Sequence, residues 1–409
     1  MKLQSENVLC LSTISWDFLW QRHQELMSRL ARDGNRVLYV EPLGIRTPGL
    51  QDLSRIAKRI SHRFQAGRQG VRRAGEGLYI HDPIIFPFHG SRINDILNEI
   101  IVTYTLNGIM RRLAFSKPII WTYLPTPLAL NVIDKIDHKL LIYDCVDALA
   151  LNPKGVLATY AQSEKQLLQK ADLVFVTSKK LYAERRPLNP HIVYAPAGAN
   201  VEHFSRREKL PHDLADIKPP RIGFFGGIDE RLDLELVEYL AQVGEGLQPL
   251  GEGPQTEPPE WSVVMIGPLR TDVTLLRKRP NVFFMGTQRY EDLPAYLAGL
   301  DVLIMPYLIN EYTTYIYPAK LHECLATGKP TVATALPELA AFRDVVTVAE
   351  DRDQFVQGVV RALQKDEEGL RRRRLEVARA NSWEARYQLI TEKILQRLAE
   401  TADCSRGRR

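Results

Sequence analysis

Short apolar runs alternate with amphipathic segments along almost the whole chain. The first run is NVLCLSTI at 7–14, and a helical pattern over 21–33 follows it and ends at Gly34, a residue suited to a helix C-terminus. Further apolar runs lie at 36–42, 119–124, 139–147, 172–178 and 191–196. Continuous apolar strands separated by helices indicate a parallel sheet that is covered on both faces. The pattern therefore predicts a doubly wound α/β fold for the first half of the chain.

The same alternation restarts after a polar stretch that ends in Lys218-Pro219-Pro220. The second set of predicted strands lies at 221–228, 261–268, 281–286, 301–307 and 329–335. We expect two Rossmann-like α/β domains, residues 1–204 and 205–382. Ligands in such sheets bind outside the carboxyl ends of the strands, and the cleft between two facing domains is the expected site.

The composition is that of an ordinary soluble globular protein. The 409 residues are 45% hydrophobic and 25% charged, which excludes collagen-like, disordered and disulfide-scaffold classes. The four cysteines form no CxxC pair, which favours a reducing compartment and argues against a structural zinc site. No apolar run approaches the roughly 18 residues of a spanning helix, and the N-terminal stretch is a poor signal peptide. We expect a cytoplasmic protein.

The net charge of +5 is unevenly distributed. Seven basic residues and no acidic residue lie between Asp52 and Glu76, and apolar residues recur there at helical spacing. A basic amphipathic helix over 53–73 would lie on an anionic membrane surface, or would pack its apolar stripe on its own domain. No recognised nucleic-acid-binding module is present, so we expect no nucleic acid partner.

Two motifs in the second half carry the candidate chemistry. Phe225-Gly226-Gly227-Ile228 follows a strand and precedes a helix, where glycines allow close approach of a phosphate. It is not the GxGxxG of dinucleotide oxidoreductases. Arg231 lies just beyond this glycine motif. Two interpretations are open: it neutralises the charge of a diphosphate, or it is an isolated surface arginine.

The second motif is YPAKLHECLATGKPTVAT, from Tyr317 to Thr334. Pro318 suits the start of a helix, and Lys320 and Glu323 are three residues apart and share a helix face. A carboxylate accepts hydrogen bonds from a ribose diol, whereas a lysine suits a phosphate. An ordinary surface ion pair would have the same spacing.

These motifs, in the order NVFFMGTQRYEDLPAYLAGLDVLIMPY, YPAKLHECLATGKPTVAT and NSWEARYQ, resemble the GT-B fold glycosyltransferases. Within them the chain is most similar to bacterial enzymes of the teichuronic acid biosynthesis type and related cell-envelope glycosyltransferases. The resemblance implies that the second domain binds a nucleotide-sugar donor. It also implies that a last segment, 383–409, carries a helix with Trp383 back to the N-terminal domain and ends in a basic tail.

The resemblance also assigns roles to the donor residues. It implies that Glu323 holds the ribose hydroxyls and that Gly226, Gly227 and Arg231 contact the diphosphate. The turn and helix start of the second motif would contact the diphosphate and the sugar from the side opposite the glycine loop. The base would lie near the end of the NVFFMG strand. The residues implied for these contacts are Tyr317, Pro318, Ala319, Lys320 and Leu321 for the diphosphate and sugar, and Gly286 and Thr287 for the base.

Three positions depart from the pattern of the family. Tyr315 stands where many relatives carry a second Glu, and the nearest acid is Glu311. Gly227 and Leu232 stand at the usual Arg and Lys positions, for which Arg231 would compensate.

The acceptor side would be built from the first domain. Asp144 and Asp147 follow a predicted strand, and Asp147 is the better candidate for a catalytic base, since Asp144 suits a capping role. His23, near the start of the first helix, is the other catalytic candidate, although a single His there is also typical of a structural residue.

We expect no metal and no cofactor. Asp351-Arg352-Asp353 is the nearest DxD string, and it suits a helix start better than a metal site. The leading hypothesis is a metal-independent transfer of a hexose from a nucleotide diphosphate donor, expected to be UDP-linked, to a saccharide or lipid-linked acceptor of the cell envelope. The alternatives are a nucleotide-sugar epimerase or hydrolase of the same fold, and a non-catalytic scaffold of a polysaccharide assembly complex.

Overall fold

The computed structural model describes residues 2–43, 70–85, 92–148, 159–206, 208–246 and 260–406. Two compact units divide the chain, the first formed by Met1–Ala195 with Tyr387–Arg409 and the second by Pro196–Arg386. The boundary lies between Ala195 and Pro196, whereas the sequence analysis placed it after residue 204. The last helix, Trp383–Arg406, begins in the second unit and from Tyr387 onward belongs to the first.

The first unit is built on a sheet of eight strands in the order β3-β4-β2-β1-β5-β6-β7-β8, within the part of the chain that the structure describes. All neighbours are parallel except β3, which runs antiparallel to β4 at the sheet edge. The strands are β1 (Asn7–Leu11), β2 (Arg36–Val40), β3 (Arg72–Gly75), β4 (Leu78–His81), β5 (Ile119–Thr122), β6 (Leu140–Cys145), β7 (Leu173–Val176) and β8 (Ile192–Tyr194).

The helices of the first unit follow the local sequence signals. Helix α1 ends where Gly34 takes a φ of +91°, a conformation that favours glycine. Thr126 caps α3 by accepting a hydrogen bond from the Ala129 amide at 3.2 Å. The helices are α1 (Arg22–Arg32), α2 (Arg92–Arg112), α3 (Pro127–Asp134), α4 (Thr159–Lys170) and α5 (Lys179–Arg185).

The second unit has an all-parallel sheet of six strands in the order β11-β10-β9-β12-β13-β14. In chain order within the unit this is 3-2-1-4-5-6, the Rossmann order, whose direction of winding reverses between β9 and β12. The strands are β9 (Arg221–Phe225), β10 (Ser262–Ile266), β11 (Val282–Gly286), β12 (Val302–Met305), β13 (Thr331–Thr334) and β14 (Thr347–Ala349).

Helices and short 3-10 turns connect these strands. The helices are α6 (Val201–Phe204), α7 (His212–Ala215), α8 (Leu234–Gly244), α9 (Thr274–Arg277), α10 (Leu293–Ala298), α11 (Lys320–Ala326), α12 (Arg352–Gln364), α13 (Glu368–Ala380) and α14 (Trp383–Arg406). The 3-10 turns are Tyr290–Asp292, Thr313–Tyr315 and Pro337–Phe342.

The central strands of both sheets are buried along their whole length. Every residue of β5, β6, β9, β10, β12 and β13 is buried, which explains why these strands read as continuous apolar runs rather than as alternating ones. Burial of these side chains supplies the main favourable contribution to folding of each unit. Among the described residues, no helix is long and apolar enough to cross a membrane.

The predicted basic helix over 53–73 needs a correction at its end. Residues 53–69 lie outside the described residues, but Arg72 and Arg73 are in β3, not in a helix. The guanidinium of Arg72 donates to the Asp17 carboxylate at 2.7 Å. Pairing with β4 therefore decides the local structure here, because an edge strand adds backbone hydrogen bonds that an exposed helix end lacks.

Candidate functional site

A glycine loop lies at the carboxyl end of β9, beside the point where the winding of the second sheet reverses. Gly226 has a φ of +122°, and its N–H donates to the Ile266 carbonyl oxygen at 2.8 Å. A Cβ atom added at Gly226 would be 2.1 Å from Cε of Lys320, so a side chain there would displace the end of the lysine side chain. The N–H of Gly227 donates to no other group in the described residues, which leaves it available to a ligand.

Lys320 begins helix α11 and covers this loop. Its Nζ lies 5.3 Å from the centre of the Phe224 ring, on the strand that leads into the loop. The side chain is partly exposed, and its ammonium reaches the space directly above Gly226. The structure therefore joins two motifs that are almost a hundred residues apart in the sequence, at the edge of the sheet where ligands of this fold class bind.

Glycines with positive φ end three neighbouring strands of this sheet. Gly226 follows β9, Gly267 follows β10 with a φ of +142°, and Gly286 closes β11 with a φ of +68°. A Cβ atom at Gly267 would be 1.9 Å from the carbonyl oxygen of Gly226, so Gly267 supports the shape of the loop. Gly286 and the adjacent Thr287 are both exposed. Gly267 is not among the site residues predicted from the sequence, although Ile266-Gly267-Pro268 after β10 is a signal for it.

Arg231 is held by a carboxylate that the sequence analysis did not name. Its Nε and one terminal nitrogen donate to the two oxygens of Asp229 at 2.8 and 2.6 Å. Burial acts to raise the pKa of Asp229, but the hydrogen bonds and charge of Arg231, with the charge of Lys320, outweigh it and lower that pKa. Asp229 is therefore ionised and keeps the arginine beside the loop, with a third of the arginine side chain exposed.

Helix α11 presents Lys320 and Glu323 together and buries its other side. Both side chains are partly exposed, whereas Leu321, His322 and Cys324 between and beyond them are buried. The buried side packs into the core, which fixes the outward side towards solvent. Burial, followed by the charge of Glu323, raises the pKa of the Cys324 thiol.

Tyr317 and Leu321 face the interior. The Tyr317 hydroxyl and Nε2 of His322 share a hydrogen bond inside the core. Burial raises the pKa of Tyr317 and, with the nearby charge of Arg386, lowers the pKa of His322 to about 3. The Leu321 amide donates to the Pro318 carbonyl oxygen at 2.9 Å. Of the predicted turn, the exposed Ala319 and the side chain of Lys320 therefore remain for a ligand.

The positions that depart from the family pattern are occupied as follows. Tyr315 and Leu232 are buried, and Glu311 is exposed. Asp351 accepts a hydrogen bond from the Gln354 amide at 2.8 Å and caps α12, which confirms the predicted helix start. Within the described ranges, no group of three His, Cys, Asp or Glu side chains could hold a metal ion.

In the first unit, a buried ion pair joins helix α1 to strand β6. Nε of Arg22 donates to both oxygens of Asp144, at 3.1 and 2.9 Å, and Nε1 of Trp121 donates to the same carboxylate at 3.3 Å. Asp144 and Arg22 are almost completely buried. The predicted capping role of Asp144 is not what these contacts show, because its carboxylate is held in a buried ion pair with Arg22.

His23 is buried next to this pair. Its Nε2 shares a hydrogen bond of 3.0 Å with Oγ1 of Thr13, and its ring lies on the Tyr123 ring with centres 3.7 Å apart. Its Nδ1 is buried and has no hydrogen-bond partner among the described residues. Burial and the charge of Arg22 lower the pKa of His23 to about 3, so the imidazole is neutral near pH 7.

Asp147 lies just beyond the carboxyl end of β6 and is partly exposed. The strand that carries it is central in the sheet, which fixes the backbone up to Cys145. Asp147 is thus the more accessible of the two catalytic candidates, because His23 is buried.

The second unit matches a known family, described as glycosyl transferases group 1, over residues 219–365. This range contains β9 to β14, the glycine loop and α11. A Bacillus subtilis (strain 168) protein named as a teichuronic acid biosynthesis glycosyltransferase, TuaH, is 28% identical over 277 residues, which are 61% of this chain. The chain spans 65% of the length of this curated relative.

Solved structures resemble the whole chain. A sucrose-phosphate synthase from Thermosynechococcus elongatus superposes with a TM-score of 0.66 and 16% identity, over 97% of this chain and all of the other. HepE from Anabaena, solved in complex with UDP and glucose, gives 0.64 and 13% identity over 96% of this chain and 99% of the other. These likenesses confirm the GT-B class of α/β fold that the sequence predicted.

Proposed function

We propose, from the premise that residues 219–365 form a group 1 glycosyltransferase domain, that this chain is a hexosyltransferase. It takes a sugar from a UDP-linked donor and passes it to a hydroxyl of a saccharide or lipid-linked acceptor. The similarity to TuaH supports a place in cell-envelope polysaccharide or glycolipid synthesis, in the cytoplasm or at the inner face of the membrane.

The observation that carries the proposal is the position of Lys320 over the Gly226–Gly227 loop. At this point an ammonium group lies at the carboxyl edge of a Rossmann-type sheet, together with the N–H of Gly227, which donates to no other group of the described residues. A diphosphate placed there receives a charge-assisted hydrogen bond from Lys320 and a backbone hydrogen bond from the loop. As the bond to the sugar breaks, negative charge grows on the leaving diphosphate, and the same groups stabilise it.

Glu323 supports recognition of the nucleoside. It lies one turn beyond Lys320 on the outward side of α11, so a ligand whose phosphate meets Lys320 extends along the helix towards the carboxylate. A carboxylate accepts hydrogen bonds from both hydroxyls of a ribose. Exposed Gly286 and Thr287 then form the edge beside which the base stacks.

The Asp229–Arg231 pair keeps a cation beside the loop before the donor arrives. Asp229 holds the guanidinium through Nε and one terminal nitrogen, and a third of the arginine side chain stays exposed beside the loop. Because the arginine side chain is already ordered in the free protein, donor binding loses less side-chain conformational entropy. This arrangement supports a charge-based stabilisation of the diphosphate without a metal ion.

On the acceptor side we propose Asp147 as the base and a positioning role for His23. A group with a pKa of about 3 holds a transferred proton weakly, so His23 is a poor general base near neutral pH. Asp147 is accessible and follows a fixed strand end. Attachment to an anionic membrane through 53–73 stays a prediction, since residues 44–69 lie outside the described residues.

The test is release of UDP from UDP-sugars by the wild-type protein, by Lys320→Met and by the matched control Lys365→Met. Lys365 is a highly exposed lysine of the same unit. Transfer predicts release that depends on an added acceptor, is abolished by Lys320→Met and is unchanged by Lys365→Met. Release of UDP without an acceptor would indicate a hydrolase. Conversion of the UDP-sugar without release of UDP would indicate an epimerase, and neither binding of the UDP-sugar nor release of UDP would indicate a scaffold.

A further inference from the structure

A cavity lies at the amino edge of the second sheet, away from the glycine loop. Its volume is about 840 Å³. Its lining includes Pro220, Asp301 and Pro330, which directly precede β9, β12 and β13. Because these strands are parallel, the residues before them lie at the edge opposite to the one that carries Gly226. The volume is within the range of roughly 300 to 1,000 Å³ that is usual for small-molecule sites.

Two cationic side chains from different elements line this cavity. Lys329 lies between α11 and β13 and is partly exposed, and Arg371 belongs to α13. The Arg371 side chain passes over Gly328, because a Cβ atom added there would be 3.1 Å from its Cγ and 3.3 Å from its Nε. The guanidinium therefore lies beside the residue that precedes Lys329, and the two cations share one wall of the cavity.

The ammonium group of Lys329 has few partners for a half-buried charge. It donates to the carbonyl oxygen of Leu300 and to no other group of the described residues. An ammonium has three N–H groups, so two remain for a ligand. Burial lowers the pKa of Lys329. The charge of Arg371 acts in the same direction, and the charges of Asp301 and Asp366 oppose it without restoring the ordinary pKa. An anionic ligand would supply the countercharge that the protein leaves out.

The acidic side chains of the lining are occupied elsewhere or exposed. The two oxygens of Asp366 accept from Arg374, at 3.2 and 2.5 Å. One oxygen of Asp301 accepts from the backbone amide of Arg221 at 2.7 Å. The third acid, Glu208, is exposed. In the described part of the chain, none of these three carboxylates forms an ion pair with the lysine.

The rest of the lining suits an organic group. Phe204, Pro294 and Leu363 supply apolar surface, and Ser205 and Thr327 supply hydroxyl groups. Inorganic phosphate would fill only a small part of the cavity. A phosphate monoester carries a charge of about −1.5 to −2 near pH 7, which matches two neighbouring cations. Lysine and arginine both bind phosphate through charge-assisted hydrogen bonds.

We infer that this cavity is a second ligand site, which binds a small organic phosphate ester with its phosphate between Lys329 and Arg371. Helix α11 separates it from the proposed donor site, since Lys320 begins this helix at the glycine loop and Thr327 follows its end at the cavity. The 7 residues of the helix span roughly 10 Å, so the two sites do not share side chains. The inference goes beyond the proposed function and does not depend on sugar transfer.

The experiment is calorimetric titration of the full chain with glucose 6-phosphate, glycerol 3-phosphate, AMP and inorganic phosphate. We expect at least one ester to bind more tightly than inorganic phosphate, because the apolar lining contacts its organic part. Arg371→Gln should weaken that binding about tenfold or more, since a charge-assisted hydrogen bond is lost. Arg372→Gln is the matched control and should leave the affinity unchanged. Arg371 and Arg372 both pair with Glu368, at 3.3 and 3.5 Å, but Arg372 does not line the cavity.

Lys329→Met provides a second variant, and circular dichroism checks the folding of each. Equal affinity of the wild type and of folded Arg371→Gln or Lys329→Met protein would overturn the inference, as would absence of binding of every ester. Lys320→Met should bind the ester as the wild type does, and loss of binding in this variant would place the phosphate at the donor loop and overturn the inference too. Absence of UDP release with ester binding intact would count against the proposed function alone.

Discussion

A single methyl group at Gly226 should separate Lys320 from the loop that it covers. A Cβ atom there would lie 2.1 Å from Cε and 2.4 Å from Nζ of Lys320, both at the end of a flexible side chain. We expect Gly226→Ala to displace the ammonium rather than the backbone. An alanine at a φ of +122° also costs about 1 to 3 kcal/mol of stability, because this region suits glycine alone.

The expected effect on donor binding follows from the lost contact. A charge-assisted hydrogen bond contributes about 1.5 to 3 kcal/mol, so the Kd for UDP should rise roughly ten- to a hundredfold, as measured by titration calorimetry. Gly246→Ala is the control, since Gly246 has a φ of +74° but an added Cβ there meets nothing within 4 Å. It should lose about 1 kcal/mol of stability and no affinity.

Lys320→Met provides a second route to the same result, because it removes the ammonium and leaves the loop intact. If folded Gly226→Ala protein bound UDP as tightly as the wild type, Lys320 would not be a phosphate ligand. Equal losses in Gly226→Ala and Gly246→Ala would point to general strain and would refute the argument in the same way.

Two further predictions concern the ribose and the acid stability. Glu323→Ala should weaken UDP binding about tenfold, because the carboxylate that accepts from the ribose hydroxyls is removed. UDP with a 2′,3′-dideoxyribose lacks those hydroxyls, so it should bind the variant and the wild type equally. Weaker binding of the dideoxy nucleotide to the variant than to the wild type would show that Glu323 does not contact the ribose hydroxyls. Buried His322 has a pKa lowered to about 3, so the unfolded chain binds its proton first as the pH falls below about 6.5, and the folded state loses stability from there down to about pH 3. At pH 5 this cost is about 2 kcal/mol, and urea unfolding of His322→Gln should show a decline between pH 7 and pH 5 that is smaller by that amount; parallel declines would contradict it.

The alternation of apolar runs and helices was enough to predict both sheets and their Rossmann-like type. Strands such as β5 and β9 are buried on both sides, so their sequences carry a strong local signal. The edge hairpin of β3 and β4 was not predicted, because its first strand is polar and exposed. Its conformation depends on pairing between strands, which no local pattern records.

The candidate site could likewise be predicted from the sequence only where its residues have a local signal. Gly226, Gly227, Lys320 and Glu323 could be found from the sequence because the turn and the helix start have local signatures. That Lys320 covers Gly226, or that Gly267 supports the loop from the next strand, depends on which strands are neighbours. Such contacts between distant parts of the chain have no signature of their own.

The role of Arg231 shows a further limit. An arginine two residues after an aspartate is a common surface pattern, and the sequence left it as either a phosphate ligand or an isolated residue. The structure adds that both oxygens of Asp229 hold it beside the loop.

The central claim is tested most directly by calorimetric titration of the full chain with a panel of nucleotides and nucleotide sugars, with and without EDTA. We predict selective binding of UDP or of one UDP-sugar, unchanged by EDTA and lost in Lys320→Met but not in Lys365→Met. Binding that requires a divalent metal would contradict the charge-based stabilisation by Lys320 and Arg231. Absence of binding to every nucleotide in the panel would contradict the donor site itself.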